Sequence, residues 1–188
     1  MAVFDAGQTL VLLNKAVVFL KDIFEKKLPI LIVGTQPIAK QLVKNFAGKY
    51  GFAYVTERWL GGTLTNFQTL HKRVDYFKQL KADKAMGKLE KYTKKERLIM
   101  DRMTEKMAIN FTGIENLNQL PAAVIVFDAN AHKTAVHEAQ LLKIPIVAVL
   151  SNDSNPDDIA YPVPANDNLQ SSLGWVIAKL ETALDNKA

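Results

Sequence analysis

The sequence predicts a doubly wound α/β protein, a flavodoxin-like parallel sheet of four to five strands, and three observations predict it. Short unbroken apolar runs at residues 30–33, 52–55, 122–127 and 146–150 read as strands buried on both faces. Segments whose apolar residues step by three and four separate them, so strand and helix alternate as in a parallel sheet covered by helices. The rhythm breaks once, where two long, heavily charged amphipathic segments follow each other and predict an inserted antiparallel α-helical hairpin. The expected division is an α/β domain built from 1–65 and 113–188, with 66–112 as a basic coiled-coil arm projecting from it.

In order, residues 9–24 place Leu10, Leu13, Val17, Leu20 and Phe24 on one helical stripe, ending near Lys26 and Lys27, where cations suit the helix dipole. Pro29 opens the first strand and Gly34 closes it; a helix over 37–50 and a strand over 52–55 complete a right-handed strand–helix–strand unit. A Gly61-Gly62 turn follows, after which Thr65 or Asn66 caps a helix carrying Phe67, Leu70, Val74, Phe77 and Leu80. Thr93-Lys94-Lys95-Glu96 is a capping box for the partner helix, whose stripe is Ile99, Met103, Met107 and Phe111. The α/β alternation then resumes: a strand over 122–127 with Asp128 at its exit, a helix over 134–142, a strand over 146–150, a polar loop over 151–158, a short edge strand over 161–163 between prolines, and a closing helix over 169–184.

The 188 residues suit one domain, or one domain with an insertion, and 48% hydrophobic with 23% charged residues excludes a disordered chain. No apolar run reaches the roughly 18 residues that span a bilayer. The opening Met-Ala-Val-Phe-Asp-Ala-Gly has neither a secretory core nor an Arg-rich transit pattern, so the protein is expected to stay where it is made, with no membrane partner. With no cysteine, disulfides and thiolate metal sites are excluded, which fits a reducing compartment. The net charge of +5 is unevenly placed. Residues 71–106 hold twelve Lys or Arg against six acids, a surplus of +6; the other twelve cations and thirteen acids leave −1. The whole excess therefore sits on the hairpin.

Ligands of such sheets bind beyond the carboxyl ends of the strands. Gly34-Thr35-Gln36-Pro37 there lacks both the Gly-x-Gly-x-x-Gly fingerprint and a Walker lysine, so no nucleotide cradle is encoded. Asp128 and Ser151 resemble a phospho-acceptor arrangement, but no acidic pair follows the first strand and no lysine follows the last. His132, His137 and Glu138 do not have zinc-helix spacing, because a five-residue step between two histidines rotates them apart. No catalytic residue, metal ligand, cofactor or small-molecule substrate is assigned. Arg58 and Trp59, at a strand exit, offer a bidentate cation and a stacking plane suited to phosphate or base. The plain alternative makes Trp59 a core anchor, Arg58 its surface neighbour and the glycines a turn.

Arg58-Trp59-Leu60-Gly61-Gly62-Thr63-Leu64-Thr65-Asn66 resembles the signature of the ribosomal protein S2 family of bacterial and organellar type. Thr93 to Glu96, Gly113-Ile114 with Leu120-Pro121, Glu138-Ala139 with Ile144-Pro145, and Pro164 with Asn166-Asp167 fall in that family's order and approximate spacing. The resemblance runs nearly continuously from about Thr9 to Ala178. It implies a non-enzymatic constituent of the small ribosomal subunit, sitting between head and body as a single copy and touching ribosomal RNA and neighbouring ribosomal proteins. The implied place is a ribosome in the bacterial cytoplasm or an organellar matrix. The RNA-binding residues expected are Arg58, Trp59, Thr63, Asn66, Lys72, Arg73, Lys91, Lys94, Lys95, Arg97 and Arg102. Two departures stand out: the family usually begins with some thirty further residues, and its Asp-Thr-Asn-x-Asp-Pro is here Ser151 to Pro156, so a cation held there with Asp167 would lose a carboxylate. Two other classes remain open: a phospho-acceptor or small-ligand domain, and a docking module whose arm binds an acidic protein.

Overall fold

Five strands form one all-parallel sheet in the computed structural model, which describes residues 5–157 and 159–185. The elements run α1 (Ala6–Glu25), β1 (Ile30–Val33), α2 (Pro37–Tyr50), β2 (Ala53–Val55), α3 (Phe67–Ala85), α4 (Lys94–Phe111), β3 (Ala123–Phe127), α5 (Lys133–Leu141), β4 (Ile146–Leu150), β5 (Tyr161–Pro164) and α6 (Gln170–Asp185). Spatial order is β2-β1-β3-β4-β5, so the direction of winding reverses between β1 and β3. That is the flavodoxin-like order, and it puts the switch-point crevice beside Thr35 and Asp128.

Because successive side chains of a strand point to opposite faces, each apolar run feeds two cores. Ile30, Ile32, Ile125, Phe127, Val147 and Val149 pack with α1, α2 and α6. Leu31, Val33, Val124, Val126, Ile146 and Ala148 join the cluster that holds Val74 and Phe77 of α3, Phe111 of α4 and Ala135 of α5. The root of the hairpin is thus part of the second core.

The first helix begins earlier than the stripe predicts, because Asp5 caps it by accepting from the Gly7 and Gln8 N–H groups. Its buried face is Thr9, Leu13, Ala16, Leu20 and Ile23, while Leu10 is 41% exposed. The expected stripe is rotated by one position: α1 packs along β5, where the Thr9 hydroxyl donates to the Pro164 carbonyl at 2.8 Å and Phe19 stacks on Tyr161. Both sheet edges are blunted. Pro162 and Pro164 interrupt β5, and at β2 the short 3-10 turn Thr112–Ile114 lies so close that a Cβ on Gly113 would stand 2.1 Å from the Tyr54 carbonyl oxygen.

Antiparallel pairing of α3 and α4 follows from the short connection between them. Phe77 meets Phe111 near the sheet, and further out Lys84 pairs with Asp101 at 2.7 Å. Thr93 and Glu96 make the reciprocal capping box the sequence predicts. The α4 stripe is another matter: Phe111 is buried and Met107 half-buried, but Ile99 and Met103 are 56% and 42% exposed.

Candidate nucleic-acid interface

The loop after β2 is built on one carboxylate. Glu138 of α5 is buried and accepts from the Trp59 indole N–H at 2.9 Å, the Gly62 N–H at 2.9 Å, the Leu64 N–H at 2.9 Å and the Thr65 N–H at 3.2 Å, with the Thr65 hydroxyl at 3.3 Å. Burial works to raise its pKa, but the Trp59 indole and these backbone donors outweigh it, and the carboxyl sits below its ordinary range. Gly62, at φ +86°, is the glycine of the pair that the turn requires. Thr63 is buried, its hydroxyl donating to the Leu60 carbonyl at 2.5 Å.

Two of the residues expected to meet RNA are engaged within the fold. The Trp59 ring packs half-buried against the second core with its N–H engaged by Glu138, and the Thr63 hydroxyl faces inward. Both fix the loop. Arg58 and Asn66 stand exposed on it, and Asn66 occupies the N-cap position of α3 without a side-chain capping bond. Glu57, next to Arg58, is held by Lys40 at 2.6 Å and Lys44 at 3.2 Å, and the Lys40 contact foremost keeps its carboxyl below the usual range. Arg58 has no ion-pair partner among the described residues.

Along the hairpin the cations divide by position. Lys78, Lys81, Lys84 and Lys88 pair with Asp75, Glu115, Asp101 and Asp83. Lys72, Arg73, Lys91, Lys94, Lys95, Arg97, Arg102 and Lys106 have no ion-pair partner among the described residues. Lys91, Lys94, Lys95 and Arg97 cluster at the turn, while Arg73, Arg102 and Lys106 border one groove nearer the sheet. With 1.5 Å per helical residue, Arg97 at the turn and Arg102 at the groove are about 7.5 Å apart along α4, and Lys94 and Lys106 about 18 Å. Lys106 is absent from the sequence-based expectation. Its signal was available, since it sits one turn beyond Arg102 on the same helix face.

In the strand-end crevice, Asp128 and His132 are engaged with neighbouring groups. Asp128, at φ +70°, takes the Gln36 amide on one carboxylate oxygen and the Ala131 N–H at 3.0 Å on the other. His132 is buried: its Nδ1 donates to the Asp128 carbonyl at 2.7 Å, which leaves Nε2 to accept from the Thr35 N–H at 3.2 Å. Asp167 is also buried, and burial first, then Asp128, pushes its carboxyl up. His137 is exposed on α5, apart in burial from His132, and no group of three or more His, Cys, Asp or Glu is arranged to hold a metal ion among the described residues. No helix among them is long and apolar enough to cross a membrane.

Fold and surface together define a flavodoxin-like α/β protein with a helical pair on which eight cations have no ion-pair partner among the described residues. The chain belongs to the ribosomal protein S2 family: that family's model matches residues 1–186. It is 39% identical over 185 residues to the small ribosomal subunit protein uS2 of Corynebacterium kroppenstedtii, covering 98% of this chain and 65% of that one. It is 36% identical to the uS2 of Karelsulcia muelleri, covering 97% and 82%, and 40% identical to that of Mycobacterium sp. strain KMS, covering 88% and 58%. The chain thus spans somewhat under two thirds of two of these relatives.

Proposed function

We propose that this chain is a non-enzymatic structural constituent of a bacterial-type small ribosomal subunit, present as one copy per particle and bound to ribosomal RNA and neighbouring ribosomal proteins. The observation that carries the reading is the row of cations on α3, α4 and the turn between them that have no acidic partner among the described residues. An ion pair cancels charge within the fold, whereas these groups keep their full field for an external polyanion. Residues 66–112 act as the RNA-contacting arm: Lys91, Lys94, Lys95 and Arg97 meet phosphates at its turn, with Lys72, Arg58 and Asn66 at its root. Arg73 and Arg102 face the groove.

Binding is expected by shape and phosphate pattern rather than by base sequence, because side chains cannot read the deep groove of A-form RNA. Each phosphate neutralised steepens the dependence of log affinity on log salt by roughly 0.7 to 0.9. Replacing Arg58 by Ala should lower RNA affinity with the melting temperature unchanged. The deciding experiment is sedimentation of the tagged protein from its own cell extract, at low and high salt and with or without ribonuclease. Comigration with the small subunit that is lost at high salt or after digestion supports the reading. A protein that stays at the top of the gradient in every condition refutes it.

A further inference from the structure

The groove between α3 and α4 joins two features that a phosphate surface does not need together. Its floor is apolar, formed by Tyr76, Ile99, Met103, Met107 and Phe111, and its volume is about 740 Å³. Tyr76, Ile99 and Met103 are each more than two fifths exposed, a large apolar area to leave in water on so highly charged a pair of helices. Around it stand Arg73, Arg102 and Lys106, none with an ion-pair partner among the described residues.

RNA phosphate would use the rim but leave the floor uncovered, and it would lose solvation against apolar side chains. A purely apolar partner would bury the floor but strip water from three unpaired cations. An amphipathic helix with acids flanking its apolar stripe satisfies both. From Ile99 to Phe111 the groove runs about 18 Å, three to four helical turns, which matches apolar anchors at i, i+3 or i+4, and i+7. The methionines suit such a seat, because their unbranched side chains adapt to an incoming surface.

We infer that the α3–α4 groove is a docking site for an acidic amphipathic helix of a neighbouring protein, with Met103 and Ile99 as apolar contacts and Arg73, Arg102 and Lys106 as carboxylate partners. The inference rests on the reading that the chain works among other proteins in a particle, yet its site is separate from the RNA-binding turn. The hairpin would then hold RNA at its tip and protein nearer the sheet.

The test uses the full chain and two fluorescent probes: a synthetic helix of about four turns with a Leu stripe flanked by Glu, and a short RNA hairpin. A peptide of the same composition in scrambled order is the control. Met103→Asp and Arg102→Glu are both exposed changes, and each should weaken the ordered peptide by roughly tenfold or more, with Met103→Asp sparing the RNA. Lys94→Glu should weaken the RNA and spare the peptide. Equal binding of ordered and scrambled peptides overturns the proposal, as does loss of RNA binding in Met103→Asp. So does a concentration-dependent dimer of the wild type that Met103→Asp abolishes, which would make a second copy the occupant. If the wild type takes the ordered peptide but no RNA, the RNA reading fails and the groove stands.

Discussion

Glu138 and the hairpin cations are opposite uses of charge. One carboxylate, buried in α5, gathers the Trp59 indole, three backbone N–H groups and a hydroxyl from a loop more than seventy residues earlier in the chain. Eight cations on the hairpin have no ionic partner among the described residues. A buried charge must be satisfied within the fold because the interior supplies no water. An exposed charge can stay unpaired at little cost, and then remains available to a partner. The loop is therefore read as architecture and the hairpin as an interacting surface, although both lie in the most recognisable part of the sequence.

The sharpest way to break this contrast is Glu138→Ala, which strands five donors. It should cost about 3 kcal/mol or more, measured by urea unfolding, because each buried donor left without an acceptor is expensive. The same carboxylate sets a pH dependence. Its folded pKa lies below the ordinary glutamate value of 4.5, so its stabilisation is fully present above that pH and is lost as pH falls through the lower folded value. Trp59 fluorescence should follow the loss. Stability that ignores Glu138→Ala would remove the distinction.

Next in size is Gly113→Ala, at the joint between the hairpin and the sheet. The new Cβ would collide with the Tyr54 carbonyl, and roughly 2 to 3 kcal/mol of destabilisation, read as a lower melting temperature, is expected. A smaller effect would mean that the 3-10 turn can lift off β2 freely and the arm is less firmly joined than the packing indicates.

Neutralising Lys94, Lys95 and Arg97 together to Ala should leave the melt within roughly 0.5 kcal/mol of wild type. It should reduce the salt slope of RNA binding by about 2 to 3, with an affinity loss of about 2 kcal/mol at moderate salt. A collapse of the fold would move these residues to the architectural side. Smallest is Thr93→Ala, which removes half of the capping box and should cost about 1 kcal/mol, seen as faster amide exchange in the first turn of α4.

Much of the fold was legible in the sequence. β1, α2, α3 and β4 fall where their apolar runs and flanking Pro or Gly put them, and Thr93 to Glu96 caps α4 as read. The Arg58–Asn66 stretch was legible as a motif, but its internal roles were not. Trp59 and Thr63 look as available as Arg58 until Glu138 is seen to hold the Trp59 indole and the Leu60 carbonyl the Thr63 hydroxyl. Likewise, Ile99 and Met103 have the spacing of a buried stripe, but α4 extends beyond the sheet that could cover them.

The sequence by itself therefore determined what is local: apolar periodicity, caps, turns, and the concentration of cations between residues 71 and 106. These depend on neighbours a few positions apart, which the chain states directly. Tertiary structure alone decided the order β2-β1-β3-β4-β5, the rotation of α1 that exposes Leu10, the union of Glu138 with the Trp59 loop, and which lysines pair with acids. Each of those depends on groups far apart in sequence meeting in space, and no pattern of near neighbours encodes that meeting.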